Sequence, residues 1–97
     1  MTLLNTLQNH REEILRIANE CGLKDVRVFG SVARGEEDAD SDIDLLVSYD
    51  EKSQKGWEVF GFSKEIENLV GRKVDLVFES GLYHVFRDEV LREARPL

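Results

Sequence analysis

Apolar side chains recur at helical spacing through the first twenty residues: Leu3, Leu7, Ile14, Ile17 and Cys21, with Leu4 and Ala18 alongside. One face of a helix carries that stripe, and Gly22 stands where a helix commonly ends. Residues 25–30 then alternate in the manner of a short strand that stops at Gly30. Residues 31–35 are compact enough for a single helical turn, and residues 36–42 are polar and almost free of apolar side chains, which predicts a loop. Residues 43–49 read as a second strand, apolar on both faces except where Asp44 intrudes; such a strand is covered on both sides. After a polar connection over 50–56, Val59, Phe62, Ile66, Leu69 and Val70 predict a helix ended by Gly71. Val74 to Phe78 predicts a third strand. Leu82, Val85, Phe86, Val90, Leu91 and Ala94 predict a last helix, broken by Pro96. The order αβ(α)βαβα predicts a single α/β or α+β domain over residues 1–97.

The anomalies in that pattern are acidic. Six acids fall within nine residues: Glu36, Glu37, Asp38, Asp40, Asp42 and Asp44. Glu36 to Asp40 read as a solvated loop. Asp42 and Asp44 differ, because they stand at the mouth and inside of an apolar strand, and residues i and i+2 of a strand share a face. Two carboxylates about 6 Å apart at an effective dielectric of about 20 repel by about 2–3 kcal/mol. A shared proton, a basic neighbour or a divalent cation has to offset that cost. Asp75 repeats the oddity in the middle of the third strand, where aspartate is disfavoured and is seldom buried without a partner. It either pairs with Arg27, Arg72 or Lys73, or joins Asp42 and Asp44 if the third strand lies beside the second. Three oxygen donors without histidine or cysteine suit Mg²⁺ or Mn²⁺. A calcium loop starting at Asp38 fails on paper, since its sixth position is Ile43 rather than glycine and its twelfth is Tyr49 rather than glutamate.

Charge and cysteine content narrow the classes. With 20 acids against 13 bases the net charge is −7. The bases are scattered, which argues against direct nucleic-acid binding through phosphate contacts. A nucleotide remains compatible if cations screen its phosphates. Cys21 is the only cysteine, so neither an internal disulfide nor a cysteine metal cluster is expected. No run is long enough to span a bilayer and no signal segment is visible, so the expected location is the cytoplasm, with no membrane partner.

Gly30-Ser31 follows the first strand, ten residues separate it from Asp42-Ile43-Asp44, and Asp75 falls in the next strand. Such a strand-to-turn junction offers backbone N–H groups and a hydroxyl to an anion. The stretch GSVARGEEDADSDIDLLV closely resembles the signature of the DNA polymerase β-like nucleotidyltransferase superfamily. The chain as a whole resembles its minimal nucleotidyltransferase (MNT-domain) family, with matches also over residues 73–77 and 90–94. The resemblance implies a polymerase β-like palm, a small mixed sheet of three to four strands packed with helices. It assigns Gly30, Ser31 and, less specifically, Arg34 to the nucleotide; a salt bridge from Arg34 to the acidic loop is the alternative. It assigns Asp42 and Asp44 to Mg²⁺, and Asp75 to the catalytic metal and to activation of the attacking hydroxyl. Two ions with ATP as substrate are expected. Family members are commonly paired with a HEPN-domain ribonuclease toxin, which they neutralise as antitoxins by transferring AMP to a tyrosine.

The resemblance therefore implies a protein adenylyltransferase in a hetero-oligomeric complex with a HEPN toxin, and the short chain leaves the acceptor to bring its own docking surface. The alternative is a non-catalytic antitoxin that masks its partner sterically, with Trp57, Phe60 and Phe62 as an aromatic contact patch. His10, mid-helix, and His84, at the start of the last helix, read as surface or partner-contact residues.

Overall fold

The computed structural model describes residues 2–38, 40–50, 59–82 and 84–97. Thr2 caps the first helix, α1 (Leu3–Asn9), by accepting the Asn5 N–H at 3.1 Å, a service that short hydroxyl side chains perform well at this position. Helix α2 (Arg11–Glu20) follows after a break at His10, whose N–H donates back to Thr6 and Leu7. The sequence pattern predicts one continuous helix here. Leu7 and Ile14 are two turns apart and face the core on either side of the break, so the hydrophobic period runs through it undisturbed.

Strand β1 (Leu23–Phe29) starts two residues earlier than its apolar run suggests. Asp25 takes φ +53°, and the pairing with β2 shifts register between Lys24 and Arg27. A short polar side chain tolerates that left-handed conformation, and the irregularity hides the strand's start from the alternation. Helix α3 (Gly30–Arg34) is the predicted single turn, closed by Gly35 in the left-handed region. Strand β2 (Ile43–Tyr49), helix α4 (Val59–Val70) and strand β3 (Val74–Phe78) fall where the pattern predicts. A 3₁₀ turn (Glu79–Gly81), helix α5 (His84–Glu93) and a short strand β4 (Arg95–Pro96) complete the chain. Neither the turn nor β4 is signalled by periodicity. Pro96 does stand beyond the helix end, and it then lies in an edge strand, where a missing N–H is tolerated.

The sheet order is β3-β2-β1-β4. Strand β1 pairs antiparallel with β2 and β4, while β2 and β3 run parallel with α4 between them, the usual crossover for parallel neighbours. One face of the sheet is the core: Val26, Val28, Ile43, Leu45, Val47 and Val74 pack with Leu7, Ile14, Ile17, Phe62 and Ile66. The alternation of β2 and β3 therefore turns Asp44 and Asp75 to the other face.

Phe62 is fully buried in this core, as its place in the apolar stripe of the helix predicts, and is not open to the contact patch that the masking alternative requires. Trp57 lies outside the described residues, as does the side chain of Phe60. Phe62→Ala removes a fully enclosed ring, and a loss of about 3–5 kcal/mol in stability is expected by chemical denaturation.

Candidate active site

Three local constraints shape the turn at Gly30. Val32 and Ala33 are buried and pin α3 to the core. Gly30 itself takes φ +75°, a region that costs a side-chain-bearing residue about 1–2 kcal/mol. A Cβ on Gly30 would stand 2.2 Å from Asp44 Oδ2, far inside contact distance. Glycine is therefore required here twice over, once for conformation and once because the Asp44 carboxylate lies against its backbone. Ser31 follows, half-buried, and its carbonyl accepts the Glu36 N–H at 2.9 Å.

The aspartates are brought together by strand pairing. In the parallel ladder Asp44 is the direct partner of Asp75, and directly paired residues project to the same face. Ile43 N–H donates to the Lys73 carbonyl at 2.9 Å, which carries the pairing up to the position of Asp42. Burial pushes the Asp44 carboxyl above the usual carboxylate range, and the neighbouring charges of Asp75, Asp42 and Glu93 push it further, with Arg34 opposing. Both effects disfavour an anion. The repulsion anticipated between Asp42 and Asp44 is thus present, with Asp75 and Glu93 added to it.

The three cations that the sequence offers to Asp75 are engaged elsewhere. Arg27 bonds Ser48 at 3.3 Å and pairs with Glu79 at 3.5 Å, and Arg87 meets the same glutamate at 3.7 Å. Arg72 donates to the carbonyls of Asp38 and Ser41 at 2.8 and 2.5 Å. Lys73 lies 4.0 Å from Asp42. The acidic stretch before β2 is not uniformly solvated either: Glu37 accepts the Leu3 N–H at 3.1 Å and so holds the start of α1.

Arg34 pairs with Glu36 at 3.2 Å and with Glu93. The first contact is the acidic-loop salt bridge weighed as the alternative for this residue. Glu93 had no sequence signal of its own. It reads as one more acid on a helix, and only the family likeness of residues 90–94 marks its segment. Yet its Oε2 accepts the Gly30 N–H at 3.1 Å.

By donor chemistry Asp42, Asp44 and Asp75 suit a hard divalent cation: they offer oxygen only, Asp44 and Asp75 are direct partners in the ladder, and Asp44 is repelled by its neighbours. Their placement does not by itself make a cation site, for no three acidic, histidine or cysteine side chains among the described residues are arranged to hold a metal ion.

The profile of the nucleotidyltransferase domain matches residues 7–97. The chain belongs to the nucleotidyltransferase domain family. A curated relative, protein adenylyltransferase MntA of Thermococcus cleftensis, is 36% identical over 87 residues, covering 90% of this chain and 84% of that protein. A solved structure provisionally described as a minimal nucleotidyltransferase superposes with a TM-score of 0.84 at 45% identity, covering 100% of this chain and 97% of the other. A toxin–antitoxin structure with AMP-PNP matches with a TM-score of 0.69 at 20% identity, over 88% of this chain and 69% of that one; at that identity the likeness is one of fold. The nucleotidyltransferase thus has the mixed four-stranded sheet that the sequence resemblance implied. No helix among its described residues is long and apolar enough to cross a membrane.

Proposed function

We propose that this nucleotidyltransferase transfers AMP from ATP to a tyrosine hydroxyl of a HEPN ribonuclease toxin, and so acts in the cytoplasm as the antitoxin of a two-protein complex. The observation that carries the reading is the direct pairing of Asp44 with Asp75 on the face where Gly30 packs against Asp44. Support for a protein acceptor comes from the curated relative, which is named a protein adenylyltransferase; the toxin–antitoxin structure with AMP-PNP shares the fold.

In this reading the Gly30-Ser31 turn holds the triphosphate with the Ser31 N–H and hydroxyl, the Gly30 N–H being held by Glu93. Asp42 and Asp44, with Asp75, hold Mg²⁺, which when bound offsets the charge of the phosphates and of the departing pyrophosphate. The tyrosine oxygen forms its bond to the α-phosphorus as the bond to pyrophosphate breaks. Asp75, exposed beside Asp44 and without a basic partner among the described residues, accepts the hydroxyl proton. Arg34, at the end of α3 and paired with Glu36 and Glu93, is assigned to the nucleotide as well.

The experiment is to incubate the chain with its cognate toxin, ATP and Mg²⁺ and to weigh the toxin intact. An added AMP is the expected result. A toxin that is bound and neutralised yet unmodified overturns the reading in favour of steric masking. Burial of Phe62 already removes one member of the aromatic patch which that alternative used.

A further inference from the structure

The N–H of Gly30 opens α3, where the first backbone donors of a helix have no intrahelical partner. A cap from the preceding side chain is the common remedy, but Phe29 stands there and gives none. The carboxylate that serves instead comes from Glu93, 63 residues further along the chain, with Oε2 on Gly30 N–H at 3.1 Å and Oε1 on the Arg34 guanidinium. One side chain thus grips the first and last residues of α3. Glu93 is itself fixed from behind. It ends α5, and the next residues form β4, which pairs Arg95 with Val28 and Pro96 with Arg27. That is the same strand that runs into Gly30.

The position is electrostatically unfavourable, since the Glu93 carboxylate adds to the repulsion on Asp44. A carboxylate is nonetheless the group that can take a backbone N–H and a guanidinium together through strong, charge-assisted bonds.

We infer that Glu93 is a positioning residue for nucleotide binding: it sets the Gly30-Ser31 turn and aims Arg34, making the C-terminal helix a working part of the site. The inference rests on the proposed role of that turn in holding ATP. Glu93 acts through Gly30 and Arg34, so its removal weakens ATP uptake more than it slows transfer from bound ATP.

The test compares wild type with Glu93→Ala and Glu93→Gln, by titration calorimetry of ATP with Mg²⁺ and by steady-state AMP transfer, each with a melting curve. Glu93→Ala is expected to weaken ATP binding and raise KM for ATP about tenfold or more, as for loss of a charge-assisted contact, with kcat within about threefold. Glu93→Gln keeps an acceptor for Gly30 N–H but loses the charge on Arg34, so its KM falls between the two. If Glu93→Ala does not fold, Glu93→Gln decides: a smaller rise in KM, of about threefold or more, supports the inference, and an unchanged KM overturns it. Unchanged ATP affinity in a folded variant, even with a lowered melting temperature, makes the contact merely structural and overturns the inference. Tighter ATP binding overturns it as well, because Glu93 would then be a placeholder that the triphosphate has to displace. A wild-type chain that binds ATP but modifies no protein leaves the affinity comparison valid and overturns only the acceptor assignment. A wild-type chain that takes up no ATP overturns both.

Discussion

Replacing Asp44 by asparagine lowers AMP transfer by about 10³-fold or more, as expected from losing several kcal/mol of transition-state charge stabilisation, while making the metal-free protein more stable at neutral pH. The two effects share one cause. Asp44 lies between Asp42 and Asp75 with Glu93 nearby, and burial and these charges together raise its pKa. A carboxyl whose folded pKa is raised binds its proton more tightly in the native state than in the unfolded chain. Its contribution to stability is complete below the unfolded value, and it is lost as pH rises through the folded value. At neutral pH the anion is therefore a net cost, and the neutral amide removes it. In EDTA the melting temperature of Asp44→Asn should exceed that of wild type at pH 7, with the gap narrowing as pH falls toward the ordinary carboxylate range. Addition of Mg²⁺ and ATP should then raise the wild-type melting temperature by mass action and leave the variant nearly unmoved. A variant less stable than wild type in EDTA at pH 7 would show that Asp44 is held by a favourable contact rather than by repulsion.

Gly30→Ala should both destabilise the fold and lower AMP transfer by about 10²-fold or more. Gly30 and Gly71 share almost the same backbone conformation, φ +75° and +74°, but nothing lies within 4 Å of a Cβ at Gly71, whereas Asp44 Oδ2 lies 2.2 Å from one at Gly30. Gly71→Ala thus reports the conformational cost alone, about 1–2 kcal/mol, with activity intact. Gly30→Ala bears that cost and has also to displace the Asp44 carboxylate or the turn itself. Misplacing a catalytic group by about 1 Å can cost about 10²-fold in rate, so transfer should fall by at least that much. Denaturation curves and transfer rates for the pair of variants separate the two contributions. Equal losses at positions 30 and 71 would mean that the close approach to Asp44 carries no functional weight.

What the sequence made legible follows from where its information is local. β2, α4 and β3 were read at their observed bounds because each is a clear apolar run between polar segments or glycines. The unusual character of Asp42, Asp44 and Asp75 was visible because a carboxylate in an apolar strand breaks its surroundings. That Asp44 and Asp75 become direct neighbours depended on the order of strands, which no single strand encodes; only the family likeness implied it. The break at His10 stayed hidden because the hydrophobic period continues across it. The start of β1 was masked by the left-handed Asp25, and β4 is too short to have a period at all. Glu93 was missed for a different reason. Its role is set by what lies across the fold, and nothing in Arg92-Glu93-Ala94 distinguishes it from a solvated helix acid. Glu37 escaped for the same reason, in a run of acids that looked uniformly exposed.

The parallel junction of β2 with β3 makes the site an all-or-none assembly. Its two central carboxylates belong to segments that meet only after the chain has crossed over through α4, and a slip of one residue would turn Asp75 inward and present Val74 or Leu76 in its place. Contacts so distant along the chain carry a loop-closure cost before they reward it. The two carboxylates therefore face one another only in a molecule whose crossover has docked in the correct register.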